Sequence, residues 1–340
     1  MDPEPLLNYS PPEPVKTEYR VGLCAWQDRS MLEEGHFYPL KTMKAEERLC
    51  WYSRFFDCVE VNSTFYAPLS AQNAILWVKR TPPGFLFSVK AYALLTGHHL
   101  DASRLPPPLA EMVPASARPN ERGQFENRVF PREAFEWAFH TFQEALQPLK
   151  DAGKLGYLLF QLAPWVRYSH EMLDYLASVR EGFPGVAVAV EFRDSSWLPG
   201  HGEEVFRFLA QHDLTYVSVD APRVRAQIPS ILALTSPTAV VRLHGRNAQG
   251  FLRQLRGKAP TVAEKYGYFY TENELREIVS KVRELDGHAR RVYLKLNNNQ
   301  EDFPALNGIQ IKELLGLETP ERTVVEAEWS RRRSATRLPR

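Results

Sequence analysis

The chain has 340 residues, 44% of them hydrophobic and 12% aromatic, enough for one large domain or two ordinary ones with a sizeable core, and too apolar for a disordered or fibrous protein. Its 42 Lys and Arg balance 41 Asp and Glu, so no global field draws it to nucleic acid or to an acidic membrane surface, and any basic site must be local. Cys24, Cys50 and Cys58 show no CxxC spacing, the N-terminus MDPEPLLNYSPPEPVKTE lacks the basic-then-apolar order of a signal peptide, and no run of eighteen apolar residues occurs. The expectation is a soluble cytoplasmic protein with no membrane partner.

Residues 1–18 are rich in Pro and Glu without periodicity and read as a flexible tail. Strand-like runs then recur at 20–26 (RVGLCAW), 58–65 (CVEVNSTF), 85–91 (FLFSVKA), 155–162 (LGYLLFQL), 186–193 (VAVAVEFR), 214–221 (LTYVSVDA), 239–245 (AVVRLHG) and 291–298 (RVYLKLNN). Between them lie segments whose apolar residues are three and four apart, the spacing of a helix stripe. Ala71, Ala74, Ile75 and Val78 follow Ser70 as N-cap; Phe135, Ala138, Phe139, Phe142, Leu146 and Leu149 make a longer stripe; Leu275, Ile278, Val279 and Val282 stand behind the capping box Thr271 to Glu274. Further helices are expected at 43–56, 169–181, 203–212 and 303–315, and the connection 222–238 is the poorest repeat. An irregular stretch at 95–130 leaves the third strand and has the length of a lid or a surface insertion. From 318 a C-terminal extension ends in the basic tail RRRSATRLPR.

Strands alternating with helices imply a parallel sheet covered on both faces, and eight such units over roughly 250 residues are the number and size of a TIM-type (β/α)8 barrel. An open doubly wound sheet is the fallback, but no GxGxxG or GxxxxGK[ST] follows any strand. The domain expectation is a single barrel over 19–317 between the two tails.

Because side chains alternate along a strand, one parity should face the helices and the other the barrel interior. Taking the apolar parity as helix-facing sends Glu60 and Asn62, Ser88 and Lys90, Gln161, Glu191 and Arg193, Ser218 and Asp220, Arg242 and His244, and Lys295 and Asn297 inward, at the strand ends where barrel enzymes keep their sites. Buried ions cost several kcal/mol unless paired or facing a wet mouth, so this ring is the strongest functional signal in the sequence.

Each member has a bland reading beside the sharp one. Glu60 either bridges a cation and fixes strand register or works as a general acid or base. Lys90 is a salt-bridge partner, an anion binder or a Schiff-base nucleophile. His244 is a proton carrier or a satisfied core histidine. Arg193 and Arg242 suit bidentate contact with a carboxylate or phosphate, or pair internally with Glu191 and Asp220. Gln161 and Asn297 orient ligands or acids. Lys90, Arg193, Arg242 and Lys295 outnumber Glu60, Glu191 and Asp220 by one, which favours an anionic ligand over a bare divalent metal; no cofactor is expected, with a metal as the minority reading.

The ordered series FYP (37–39), VEVNSTFY (59–66), Trp77 with TPPGFLFSVKA (81–91), LFQLAP (159–164), VEFRDSSW (190–197), VRLHGR (241–246), Tyr266 with YFYTENEL (268–275) and NNNQEDFPALNG (297–308) resembles the domain of unknown function 72, or YecE-like, family over about 19–317. The resemblance implies a TIM-type barrel and supplies no reaction. It carries the family's motif positions onto Glu60, Asn62, Lys90, Gln161, Glu191, Arg193, Arg242, His244, Asn297 and Asn298. Where the family opens with a Gly-Thr-Ser-Gly-Trp-like strand, this chain has GLCAW, keeping Trp26 and losing the hydroxyls.

The leading expectation is an enzyme acting on an anionic small molecule with Glu60, Lys90, Glu191 and His244 as its chemical groups, the reaction class left open between isomerase, lyase and hydrolase. The alternatives are a metal-dependent nuclease or repair-type barrel binding nucleic acid, and a non-catalytic ligand-binding or scaffold barrel.

Overall fold

The computed structural model describes residues 4–222, 228–249 and 266–319. Eight parallel strands, β1 (Glu18–Leu23), β2 (Cys58–Val61), β3 (Leu86–Lys90), β4 (Leu155–Gln161), β5 (Ala187–Glu191), β6 (Leu214–Asp220), β7 (Thr238–Leu243) and β8 (Arg291–Leu296), form one sheet in the order β1-β8-β7-β6-β5-β4-β3-β2, nearly closed as a barrel. Around it lie α1 (Ala45–Tyr52), α2 (Ala71–Lys79), α3 (Arg132–Asp151), α4 (His170–Gly182), α5 (Gly202–Gln211), α6 (Glu272–Arg283) and α7 (Phe303–Leu315). The caps read from the sequence operate: the Ser70 hydroxyl accepts from Asn73 N, and Thr271 and Glu274 bond each other's backbone N–H groups reciprocally. The strands are shorter than the apolar runs because VNSTF turns into a short 3-10 helix after Val61, and the polar ends of other runs leave the ladder as loops.

The ends of the sheet meet without a ladder between β1 and β2. Side chains close the gap. The Tyr52 hydroxyl accepts from Leu23 N (2.8 Å) and donates to Cys58 O (2.9 Å), and the Asn62 amide donates to Cys24 O (2.7 Å). Gly22 is required here, since a Cβ would lie 2.0 Å from Cys58 O.

No helix lies between β6 and β7 among the described residues. In its place the segment Ala233–Leu234 pairs in parallel with Leu6–Leu7, so part of the Pro- and Glu-rich N-terminal stretch is docked on the barrel; Val15 also bridges to Gly287. The basic C-terminal tail lies outside the described residues.

This substitution of a strand pair for a helix explains a departure from the expected parity. On β6 it is Val217 and Val219 that join the apolar cluster inside the barrel, with Cys58, Leu86, Tyr157, Leu159, Ala189, Val240 and Tyr293. Tyr216 faces outward onto Phe192 and Phe206, and Ser218 and Asp220 share its side. Ser218 Oγ accepts from Ala233 N at 3.2 Å, so a polar outer face is satisfied where no apolar helix covers it. Apolar residues marked the outside on the other strands; here they mark the packed interior, which barrels fill with side-chain layers.

The 95–130 stretch is built around its own antiparallel pair, Leu100–Asp101 with Gln124–Phe125, and a short helix at Pro107–Met112 whose Leu109 is buried in the main core. Asn127 Nδ2 donates to Leu94 O (2.8 Å) and ties the end of the insertion back to its start. Among the described residues no helix is long and apolar enough to cross a membrane, and Cys24, Cys50 and Cys58 are free thiols.

Candidate functional site

Above the apolar layer inside the barrel lies a charged one. Arg242, 1% exposed, donates through Nη2 to Glu60 Oε1 (2.6 Å) and through Nη1 to Glu191 Oε2. The Tyr157 hydroxyl donates to Glu60 Oε2 (2.7 Å), and Arg193 Nη1 donates to Glu191 Oε1 (2.7 Å). Burial works against the charge of Glu60, but Arg242, the Tyr157 hydroxyl and Lys295 outweigh it and lower its pKa. Burial likewise opposes the charge of Glu191, and Arg242, His244 and Arg193 hold it well below the usual carboxylate range. Both carboxylates are ionised acceptors, each with both oxygens engaged.

His244 completes this layer. Its Nε2 stands 3.4 Å from Glu191 Oε1 and its Nδ1 is 2.7 Å from Asn297 Nδ2. Burial, against the pull of Glu191, pushes its pKa down to about 4, so the ring is neutral near pH 7. With the Asn297 amide donating to Nδ1, the proton rests on Nε2 and points at Glu191. Lys295, fully buried, lies toward the barrel floor, its Nζ 3.0 Å from Cys58 Sγ; burial pushes the Cys58 thiol up to about 11.

Lys90 differs from all of these. It ends β3 partly exposed at the mouth, its Nζ 4.2 Å above the centre of the Phe65 ring, and among the described residues no side-chain or backbone acceptor bonds its amine. Burial, then Arg242, depress its pKa to about 8 against Glu191 and Glu60, which favour the ammonium. Beside it His98 packs edge-on against Phe65 (4.7 Å) and holds Thr96 Oγ1 at 2.8 Å; burial and the Lys90 charge push it down to about 3. The mouth is completed by Gln161, partly exposed and level with Glu191 in the ladder, and by Arg193, whose side chain is 20% exposed.

The geometry thus brings together Glu60, Lys90, Gln161, Glu191, Arg193, Arg242, His244 and Asn297, with Lys295 beneath. Three other residues lie apart. Asp220, on the outer side of β6, accepts from two of the three Arg246 nitrogens (2.9 Å from Nε, 2.7 Å from Nη2) and from Tyr270 OH (2.8 Å). Asn298 donates to Tyr268 O (2.9 Å) and Asn307 Oδ1 (3.0 Å), fixing the strand-to-helix loops. Asn62 clasps the β1–β2 seam.

Sequence reasoning passed over Tyr157, Cys24, Phe65 and Tyr266. Tyr157 has the same parity as Gln161, and Cys24 the same as Gly22, so alternation alone would have placed both inside; Cys24 Sγ stands 3.7 Å from Arg242 Nη2. The Tyr266 ring is 6.0 Å from that of His244, a contact that periodicity does not encode. Among the described residues no three His, Cys, Asp or Glu side chains converge as a metal ion would require.

The fold and site define a (β/α)8-type barrel carrying a buried ionic layer beneath its C-terminal mouth. The chain belongs to the family "Protein of unknown function DUF72", whose model matches residues 20–332. It is 31% identical over 301 residues to UPF0759 protein YunF of Bacillus subtilis (strain 168), covering 88% of this chain and 95% of that one. Crystal structures of DUF72 family proteins are similar in fold: one from Enterococcus faecalis V583 at 23% identity and a TM-score of 0.69, covering 89% of this chain and 97% of that one, and one from Thermotoga maritima MSB8 at 26% identity and a TM-score of 0.64, covering 89% and 99%.

Proposed function

We propose that the protein is an enzyme acting on an anionic small molecule, bearing a carboxylate or phosphate, at the C-terminal mouth of the barrel. Arg193 and Lys90 receive the anion, Gln161 orients it, and Lys90 is the group that gains or loses a proton near neutral pH. Glu60, Arg242, Glu191 and His244 serve as a fixed electrostatic frame under the ligand. The observation that carries this reading is the contrast in partners: every carboxylate oxygen of the layer is already engaged, whereas among the described residues the Lys90 amine has no acceptor, and Arg193 spends one nitrogen on Glu191 and faces the opening. Unsatisfied cationic donors at a barrel mouth are what an anion replaces water on. Calorimetric titration with inorganic phosphate and with malonate tests it. At least tenfold weaker binding by Arg193→Gln supports the reading, and equal binding by wild type and variant overturns it.

A further inference from the structure

The position of Lys90 restricts what an amine there can do. It is no ion-pair strut, because Glu60 and Glu191 are bound by Arg242, Tyr157 and Arg193, leaving no carboxylate that turns to it. The Phe65 face 4.2 Å away attracts a cation but accepts no hydrogen bond, so loss of the ammonium proton breaks no bond and leaves a nitrogen lone pair beside the opening. The charged and titratable groups acting on it are Arg242 and Arg193, which disfavour the ammonium, Glu191 and Glu60, which favour it, and His98, neutral beside the same ring.

Its neighbours add an anchor. Lys90 ends β3, Gln161 ends β4, and Arg193 follows β5, three consecutive strands of the sheet. The ladder register puts Lys90 level with Leu159 and Ala189, so Arg193 lies two strands across and four residues further along, and its long side chain still brings its charge to bear on the Lys90 amine. A cation at one end and a lone-pair nitrogen at the other match a compound with an anionic group near an electrophilic carbon.

We propose that Lys90 is a covalent catalyst, its amine condensing with the aldehyde or ketone carbonyl of a substrate whose carboxylate or phosphate is held by Arg193. This deepens, and rests on, the reading of the mouth as an anion site. In the step the neutral amine attacks the carbonyl carbon; the C–N bond forms, the C=O π pair moves to oxygen, and an amine proton transfers to that oxygen to give the carbinolamine. Expulsion of the hydroxyl as water, with the second nitrogen proton supplied to it, leaves the imine, so that one carbonyl and one amine give one imine and one water. No oxidant or further reactant is needed. Protonated, the imine draws electrons from the neighbouring carbon, and Lys90 thereby supplies activation that Glu60 and Glu191, locked as ionised acceptors, do not.

The test is reductive trapping on the full chain with sodium cyanoborohydride and three probes: pyruvate, glyceraldehyde 3-phosphate and uncharged glyceraldehyde, read by intact mass and peptide mapping. The proposal expects one adduct per chain on the Lys90 peptide, at least tenfold above any other lysine, at least tenfold stronger with the anionic probes than with glyceraldehyde, rising as pH passes through about 8. The adduct should vanish in Lys90→Met and in Lys90→Arg, which keeps the cation, and fall at least tenfold in Arg193→Gln. Label spread evenly over the lysines, or persisting elsewhere in Lys90→Arg, overturns it. Phosphate calorimetry on the same samples separates the two readings: binding that Arg193→Gln abolishes, with no Lys90 adduct, overturns the imine alone, whereas neither binding nor adduct overturns both.

Discussion

Glu191 and Lys90 both occupy inward positions at the ends of barrel strands, yet one belongs to a closed arrangement and the other to an open one. In the layer formed by Glu60, Arg242, Glu191, Tyr157 and His244, charges are buried and every carboxylate oxygen is bonded, while Arg242 Nε has no partner among the described residues. At the rim, Lys90, Gln161 and Arg193 are partly exposed and under-bonded. The contrast teaches that a ring of polar residues in a barrel sequence combines two kinds of group, one that makes the interior tolerable for charge and one that is left to meet a ligand. The layer should govern stability and the rim binding.

The strongest challenge to this division is Arg242→Met. It leaves two buried carboxylates without their shared cation and should cost about 3–5 kcal/mol of stability in urea unfolding. A loss under 1 kcal/mol would mean the layer is wet, and the distinction from the rim would collapse.

Acid titration of stability should come next in size. His244 and His98 are both lowered in the fold, so the stability they carry is complete above about pH 6.5 and is lost as pH falls toward about 4 for His244 and about 3 for His98, at up to about 1.4 kcal/mol per pH unit for a fully buried ring. Glu60 and Glu191 are also lowered, so their contribution is complete above the ordinary carboxylate range and is lost below about pH 4.5. Unfolding midpoints should therefore decline from pH 6.5 and more steeply below 4.5. Replacing both histidines with Gln should flatten the upper window alone.

Tyr157→Phe removes one donor to a buried carboxylate and should cost about 1.5–3 kcal/mol, leaving phosphate affinity within twofold. The smallest stability effect belongs to the rim. Because its depressed pKa means that an ammonium at Lys90 is disfavoured by the fold near neutral pH, Lys90→Met should be neutral or stabilising by up to about 1 kcal/mol while weakening phosphate binding at least tenfold. If Lys90→Met destabilises the chain as much as Arg242→Met, Lys90 is part of the frame.

Much of this was legible from alternation. The apolar parity on β2, β3, β5, β7 and β8 does face the helices, which placed Glu60, Lys90, Glu191, Arg242, His244 and Lys295 inside. The rule misread β6 because it assumes a helix outside, and there the outer face is met by the Ala233–Leu234 segment, whose polar contacts leave no periodic trace. Depth was illegible for a different reason. Lys90 and Lys295 are the same residue type at equivalent parity, and only their tertiary contacts, Lys295 Nζ beside Cys58 Sγ and Lys90 Nζ over the Phe65 ring, separate a floor residue from a rim residue. Partners such as Tyr157 for Glu60 are ninety-seven positions apart in the chain, a pairing that no local pattern carries.

The Tyr52 clasp makes the barrel a cylinder with a zipper. Where β1 meets β2, one phenol and one amide do the work that a row of main-chain bonds does between the other neighbouring strands. Thermal opening should start along this line, so in native-state deuterium exchange the Leu23 amide should be among the first of the buried strand amides to label, and Tyr52→Phe should speed it without changing exchange on β7 and β8. A seam closed by side chains gives this chain a built-in direction in which to come apart.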